Sequence, residues 1–126
     1  MKELKVVCGI IYDLDKIFIA RRKKGKVLSN KWEFPGGKIE EHESESNALL
    51  RELKEELGMN VIIKKKLGYN IHEYNNFTIN LVAYSCRFIS ATYELTDHDR
   101  FEWVLPNRLK EYDLTEADIA FVSLLF

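Results

Sequence analysis

The sequence has few of the residues that mark disulfide-rich, metal-cluster or membrane proteins. It contains two cysteines and two prolines, and no apolar run approaches the ~18 residues that a membrane-spanning helix needs. Cys8 and Cys86 lie far apart in apolar stretches without a nearby pair of histidines, so we predict no metal cluster. Two buried free thiols are the favoured interpretation, with a disulfide as the alternative. The N-terminus lacks the pattern of a signal peptide, so we expect a cytoplasmic protein.

The chain also lacks a large net charge. With 19 Lys and Arg against 20 Asp and Glu, the formal net charge is −1, which is unlike the broadly basic composition of nucleic-acid-binding proteins. Apolar residues make up 46% and charged residues 31%, which predicts one globular domain over residues 1–126. We expect a monomer or weak dimer with no nucleic-acid or membrane partner. The charges are nonetheless uneven, because residues 21–26 include five basic side chains and residues 37–56 include seven glutamates.

The hydrophobic pattern predicts strands first, one internal helix, further strands and a terminal helix. Strands are predicted at residues 4–12, 17–20, 32–34, 61–68, 70–74, 77–89 and 100–104. The first two form a hairpin, a tight turn at 35–37 ends the third, and 77–89 is the candidate for the central strand. A terminal helix is predicted over 115–125, with Thr115 and Asp118 as a capping pair. This order indicates a mixed α/β domain of the α+β type, with helices packed on a mostly β core.

The internal helix is predicted over residues 45–57, where the apolar residues recur at helical spacing. Ser44 is placed to cap its N-terminus, and Gly58 is placed to end it. The apolar residues on this predicted buried face are Ala48, Leu49, Leu53 and Leu57.

Three glutamates stand at helical positions i, i+3 and i+4 of this helix, namely Glu52, Glu55 and Glu56. Their side chains are therefore expected on one face, where like charges repel one another. A hard divalent cation such as Mg²⁺ or Mn²⁺ would reverse that repulsion, because it prefers several carboxylate oxygens and the oxygens of a substrate phosphate. The alternative is an ordinary solvated helix face.

The spacing of these glutamates forms part of a longer motif. Residues 37–59 have the sequence GKIEEHESESNALLRELKEELGM. This stretch matches the Nudix box, a pattern of Gly, five residues, Glu, seven residues, Arg-Glu, an aliphatic, any residue, Glu-Glu, any residue, Gly and an aliphatic. Every fixed position is filled, and the flanking sequence KWEFPGGKIE resembles the MutT and CTP-pyrophosphohydrolase branch in particular. The chain therefore resembles Nudix hydrolases over nearly its whole length.

The resemblance implies a Nudix fold, in which a mixed β-sheet core is sandwiched between helices. It also implies Mg²⁺-dependent hydrolysis of a nucleoside triphosphate to the monophosphate and pyrophosphate, with Mn²⁺ as the alternative cation. Such a protein would clear oxidised or surplus nucleotides, as 8-oxo-dGTP diphosphatases and CTP pyrophosphohydrolases do. The alternatives are a Nudix hydrolase for another nucleoside diphosphate linked to a further group, or a nucleotide-binding sensor without catalysis.

The resemblance also implies a set of metal ligands. Glu55 and Glu56 would bind the cation, with the Gly37 carbonyl as a further ligand. Glu52 would bind the cation or act as the base on the attacking water. Asp97, in the segment DHDRFEWV, occupies a position usually held by Glu, and one methylene less would favour contact through water. A polar turn at this position is the alternative.

Three further residues of the box are implied to maintain its geometry. Arg51 would orient Glu52 through bidentate hydrogen bonds. Glu43 would hold the loop and the helix together, and Gly58 is assigned a structural role at the helix end.

Substrate contacts are implied at three positions outside the metal ligands. Arg22, in the basic run RRKKGK, would contact phosphate, with an ordinary solvated basic loop as the alternative. Phe34 would line a base pocket, with simple core packing as the alternative. Asp118 falls where members selective for 8-oxoguanine carry Asn; an ionised Asp only accepts hydrogen bonds, which suits the cytosine amino group. A protonated Asp118 would still serve an oxidised purine. We predict that Trp32 and Trp103 are core residues.

Overall fold

The computed structural model describes residues 2–125, and its centre is a seven-stranded mixed sheet. The strands are β1 (Lys2–Asp13), β2 (Lys16–Arg22), β3 (Trp32–Glu33), β4 (Gly36–Lys38), β5 (Met59–Glu73), β6 (Phe77–Ala91) and β7 (His98–Val104). The helices are α1 (Glu45–Leu57) and α2 (Glu116–Ile119), with 3-10 turns at Pro106–Glu111 and Val122–Leu124. No helix within residues 2–125 is long and apolar enough to cross a membrane.

The main path of the sheet runs β3-β2-β1-β6-β5, while β4 pairs with β1 and β7 pairs with β2. Strands β1 and β6 are parallel, and the other pairs are antiparallel. The predicted hairpin of the first two strands is confirmed, and β6 lies inside the sheet as expected for the central strand. Parallel pairing needs a long crossover connection, and the chain between β1 and β6, which includes α1 and β5, provides one.

Helix α1 forms where its local sequence predicts it. The Ser44 side chain accepts a hydrogen bond from the Asn47 backbone N–H at 3.1 Å. Gly58 ends the helix with a φ of 58°, a left-handed conformation that glycine adopts at little cost. Leu53 and its apolar neighbours on this face are fully buried against the sheet. The helix therefore has a fixed height and rotation above the strands.

The core has two parts, one on each face of the sheet. Under α1, Leu49, Leu53 and Leu57 pack with Phe18 and residues from β1 and β5. The opposite face is covered by the C-terminal segment, whose buried residues there are Leu109, Leu114, Ala117 and Phe121. The predicted mixed sheet between helical layers is thus confirmed.

The cysteines and tryptophans lie as predicted. Cys8 and Cys86 are buried free thiols that belong to the core clusters on opposite faces of the sheet. Trp32 is buried and Trp103 packs at the edge of the α1 core. The separation of the two thiols by the sheet explains why they form no disulfide.

The terminal helix is much shorter than predicted. Only Glu116–Ile119 is α-helical, and the predicted capping pair is wrong because the Thr115 side chain makes no capping hydrogen bond. The Asp118 carboxylate instead accepts a hydrogen bond from the backbone N–H of Phe34, far away in sequence. This tertiary contact competes with the local capping arrangement.

The predictions for the strands at 61–74 and for the turn at 35–37 also differ from the structure. The strands predicted at 61–68 and 70–74 are one strand, β5, interrupted by bulges; Gly68, with a φ of 143°, lies at one of them. The tight turn predicted at 35–37 is wrong, since Gly36–Lys38 forms strand β4 against β1. A Cβ at Gly36 would collide with the Val7 backbone, so glycine is required here for close strand packing.

The buried face of α1 can be tested with two identical substitutions on the same helix. Leu53→Ala should lower the free energy of unfolding by about 2–5 kcal/mol, because it leaves a cavity in the core. The control Leu50→Ala, at a side chain that is 41% exposed, should cost less than about 1 kcal/mol. Urea denaturation would measure both, and equal losses would contradict the assignment of the buried face.

Candidate active site

A cavity of about 680 Å³ opens beside α1 and runs towards α2. Residues from β1, β3, β4, β6 and both helices line it. The residues used in the argument below are Arg22, Glu33, Phe34, Gly37, Glu52, Glu56, Asp97 and Asp118. Acidic and basic side chains meet at one end, and apolar residues dominate at the other.

The acidic end is built on the face of α1 next to its buried leucines. Glu56 is buried, and burial raises its pKa to about 10, with the neighbouring Asp97 carboxylate adding to the rise. The Glu56 Oε1 atom is buried and has no hydrogen-bond partner among residues 2–125. Burial also raises the pKa of Glu52, although Arg51 opposes that shift. These acidic groups are therefore crowded, and burial favours their neutral, protonated forms.

Asp97 reaches this end from the residue before β7. Contact with Glu56 lowers its pKa, and Lys26 lowers it further through an ion pair with an Nζ–Oδ1 distance of 3.3 Å. Asp97 and its neighbours therefore form more than a solvated polar turn. Lys26, from the basic run at residues 21–26, partly compensates the negative charge of Asp97.

Strand β4 brings backbone close to this carboxylate cluster. A Cβ added at Gly37 would collide with the Glu52 carboxylate, so glycine lets the backbone approach that carboxylate in its present orientation. The β4–β1 pairing, in which Gly37 is opposite Val7, fixes the position of the Gly37 backbone.

Arg51 lies behind the cavity and ties α1 to the loop before it. Its Nε and Nη2 donate to the two carboxylate oxygens of Glu43, at 2.7 and 2.9 Å. The same guanidinium donates to the Lys38 carbonyl at 3.0 Å and to Glu52 Oε1 at 2.8 Å. It also contacts Glu55 at 3.3 Å. The bidentate contact with Glu43 fixes the guanidinium, whose single hydrogen bond to Oε1 then orients Glu52.

The opposite end of the cavity contains one buried carboxyl group among apolar side chains. Asp118 Oδ2 accepts a hydrogen bond from the Phe34 N–H at 2.8 Å. Burial raises the pKa of Asp118 well above its ordinary value, and the negative charge of Glu33 adds to the rise. Phe34 and Cys8 are buried beside it and line the cavity. This end has the size and polarity to hold a flat heterocycle with few polar contacts.

Arg22 lies in the cavity wall and is held by two acceptors. Its Nε donates to the Val27 carbonyl at 2.6 Å, and its Nη1 donates to Glu33 Oε2 at 3.1 Å. His98 Nε2 lies 2.8 Å from the same Glu33 oxygen. Neither Glu33 nor His98 was among the predicted site residues, because their proximity depends on the pairing of distant strands and has no local sequence pattern.

The structure thus brings together most of the predicted site residues. Those that line the cavity are Arg22, Phe34, Gly37, Glu52, Glu56, Asp97 and Asp118. Arg51 and Glu43 lie outside it, and Gly58 ends the helix. Glu55 does not line the cavity, since its side chain is 61% exposed and contacts Arg51.

The donor set at the acidic end suits a hard divalent cation. The unpartnered Glu56 oxygen and the crowded carboxylates lack positive charge, and carboxylate and carbonyl oxygens are the ligands that Mg²⁺ prefers. Within residues 2–125, no three His, Cys, Asp or Glu side chains are already arranged as a metal-ligand set. A cation would therefore bind with some rearrangement of these side chains.

Comparisons with known proteins agree with this fold and cavity. The family model described as NUDIX domain matches residues 6–124, and the chain belongs to the Nudix hydrolase family. The CTP pyrophosphohydrolase of Escherichia coli (strain K12) is 34% identical over 94% of this chain and 88% of its own length.

Two further relatives extend this likeness. A protein of Mycobacterium tuberculosis (strain H37Rv), named putative 8-oxo-dGTP diphosphatase 2, is 33% identical over 94% of this chain and 84% of its own. The solved structure of MutT, a Nudix hydrolase of methicillin-resistant Staphylococcus aureus 252, is 36% identical with a TM-score of 0.78. The alignment covers 99% of this chain and 97% of that one.

The contact between Arg51 and Glu43 predicts a pH-dependent contribution to stability. Hydrogen bonds from Arg51 lower the pKa of Glu43 from 4.5 to about 2. Because the pKa is lower in the folded state, this carboxylate stabilises the fold above pH 4.5, and the effect is lost as the pH falls towards 2. Glu43→Gln should therefore be less stable than wild type near neutral pH, and the difference should shrink on acidification.

Urea midpoints measured between neutral and acidic pH would show this convergence. Glu41→Gln serves as the matched control, because the Glu41 side chain is 91% exposed. A gap between wild type and Glu43→Gln that stays constant with pH would contradict the prediction.

Proposed function

We propose that this protein is a Mg²⁺-dependent nucleoside triphosphate pyrophosphohydrolase that removes oxidised or surplus nucleotides. The observation that carries this proposal is the cavity, in which an acidic end with Arg22 is continuous with an apolar end containing Asp118. A triphosphate with its cation suits the first end, and a nucleobase suits the second. The names of the two curated relatives described above support the same reaction class.

In this proposal, Glu56 and the Gly37 carbonyl would hold the cation, and Asp97 would support it directly or through water. Glu55 would also bind the cation once its side chain no longer contacts Arg51. When bound, the cation neutralises phosphate charge and lowers the pKa of a bound water. Mn²⁺ has the same preference for oxygen ligands and is the alternative ion.

The side chains of the cavity then divide the remaining work. Glu52 accepts the proton of the attacking water, and Arg51 keeps the Glu52 carboxylate in the orientation that this transfer requires. The water oxygen forms a bond to a phosphorus atom of the triphosphate. The anhydride bond that joins the nucleoside monophosphate part to the pyrophosphate part breaks. Arg22 offers guanidinium donors to the phosphate oxygens, which holds the charged chain in place. Glu43 keeps Arg51 fixed in turn.

Base selection is assigned to Asp118 and Phe34 at the apolar end. An ionised Asp118 accepts from an exocyclic amino group such as that of cytosine. The raised pKa of Asp118 favours its neutral form, which also donates and would suit an oxidised purine. Cytosine and 8-oxoguanine nucleotides are therefore the two substrate candidates.

The reaction can be tested by incubating the protein with Mg²⁺ and a panel of nucleoside triphosphates that includes CTP and 8-oxo-dGTP. We expect a monophosphate and pyrophosphate from at least one of them. Glu52→Gln should reduce kcat about a hundredfold or more, because it removes the general base, and should leave the free energy of unfolding unchanged. The control Glu111→Gln changes an exposed glutamate outside the cavity. Absence of any monophosphate would overturn the proposal, whereas near-normal turnover by Glu52→Gln would remove Glu52 from the mechanism.

The role of Asp118 can be tested with Asp118→Asn, which keeps an oxygen that can accept from Phe34 N–H and adds an amide donor. We expect the ratio of kcat/KM for CTP to that for 8-oxo-dGTP to fall by about tenfold. The ratio is the useful quantity because a general loss of stability would lower both values together. An unchanged ratio would limit Asp118 to its hydrogen bond with Phe34.

A further inference from the structure

The pairing of β2 with β7 contains an irregularity next to the cavity. Arg21 is opposite Arg100, but the following residue, Arg22, is opposite His98, so the register shifts at this step. In a regular ladder Arg22 would be opposite Asp99. Asp99 instead pairs with Arg21 through Nε–Oδ1 and Nη2–Oδ2 contacts at 2.8 and 3.1 Å. The shift therefore places His98, and not Asp99, beside Arg22.

The His98 side chain is fully buried and has one polar partner. Its Nε2 lies 2.8 Å from Glu33 Oε2, and its Nδ1 is buried with no partner among residues 2–125. Because Glu33 Oε2 also accepts from Arg22, the proton of a neutral imidazole belongs on Nε2. An unpartnered buried nitrogen is unfavourable, so packing alone would favour an apolar residue at this position.

Glu33 links His98 to the wall of the cavity. The same Oε2 atom accepts from His98 and from Arg22 Nη1, and Glu33 itself lines the cavity. Arg22 has one other fixed contact, from its Nε to the Val27 carbonyl in an exposed loop. The half-buried Glu33 carboxylate is therefore the more rigid of its two supports, and the buried His98 is what fixes that carboxylate.

We propose that His98 is a positioning residue that acts through Glu33 to hold Arg22 in the orientation that binds the substrate phosphates. This inference rests on the proposed function, in which Arg22 is a phosphate contact. His98 does not touch the substrate itself. Its contribution is a hydrogen bond that stops the Glu33 carboxylate from rotating, so that the Arg22 guanidinium is already oriented when the nucleotide arrives.

The test compares His98→Leu, which removes the donor, with His98→Gln, whose side-chain amide can donate in place of Nε2. Affinity for CTP and for 8-oxo-dGTP is measured by calorimetry with Mg²⁺ in a Glu52→Gln background, which binds without turnover. We expect His98→Leu to weaken the Kd by about tenfold, and His98→Gln to stay within about threefold of the parent. In the otherwise wild-type enzyme, KM should rise while kcat changes little.

Two controls separate positioning from a general loss of structure. His72→Leu removes a different His–Glu pair, in which His72 Nε2 lies 2.7 Å from Glu116 outside the cavity, and should leave the Kd unchanged. In an Arg22→Met background, His98→Leu should weaken the Kd by less than about twofold, since its effect passes through Arg22.

The outcomes distinguish this inference from the proposed function. Equal Kd values for His98→Leu and its parent, failure of His98→Gln to restore affinity, or full additivity with Arg22→Met would each overturn the inference. A wild-type protein that releases no monophosphate but shows the expected pattern of Kd values would overturn the proposed reaction alone. Absence of binding by either nucleotide would overturn both.

Discussion

The burial of one face of α1 against the sheet is the constraint on which the rest of the site depends. Leu49, Leu53 and Leu57 have no exposed surface, so the helix can neither rotate nor slide without losing core packing. This fixes Glu52 and Glu56 at the cavity, where burial raises the pKa of both carboxyl groups. Hydrophobic packing thus provides the free energy that keeps these two acidic groups close together in a partly desolvated position, where their protonated forms are favoured.

The near-zero net charge of the chain conceals a local arrangement in which acidic and basic groups are matched by position. Arg51 compensates Glu43 and Glu52 behind the cavity, and Lys26 compensates Asp97 at its edge. Glu56 Oε1 has no hydrogen-bond partner within residues 2–125, and this unpaired oxygen makes the acidic end suitable for a cation. The Lys26–Asp97 pair is partly exposed and contributes little to stability, whereas the more buried Arg51 contacts both stabilise the fold and orient Glu52.

The elements that depend on interactions between residues close in sequence were predicted correctly. The helix at 45–57 has the predicted bounds and both caps, and the first hairpin forms as expected. The terminal helix was overestimated because Asp118 binds the Phe34 N–H instead of capping its own helix. The prediction of a tight turn at 35–37 was wrong because Gly36 instead allows close packing of two strands. The hydrophobic periodicity of the sequence contains no information about such a contact.

By itself, the sequence determined the family motif, the helix that carries it and the alternation of strands, since these depend on spacing within about two dozen residues and on local backbone preferences. Tertiary structure alone decided that Glu56 is buried while Glu55 is exposed, and that Asp118 faces Phe34. It also decided that Glu33 and His98 meet at Arg22. The physical reason is that a shift of one residue in strand register changes which side chains are opposite one another, and register is set by the packing of the whole sheet.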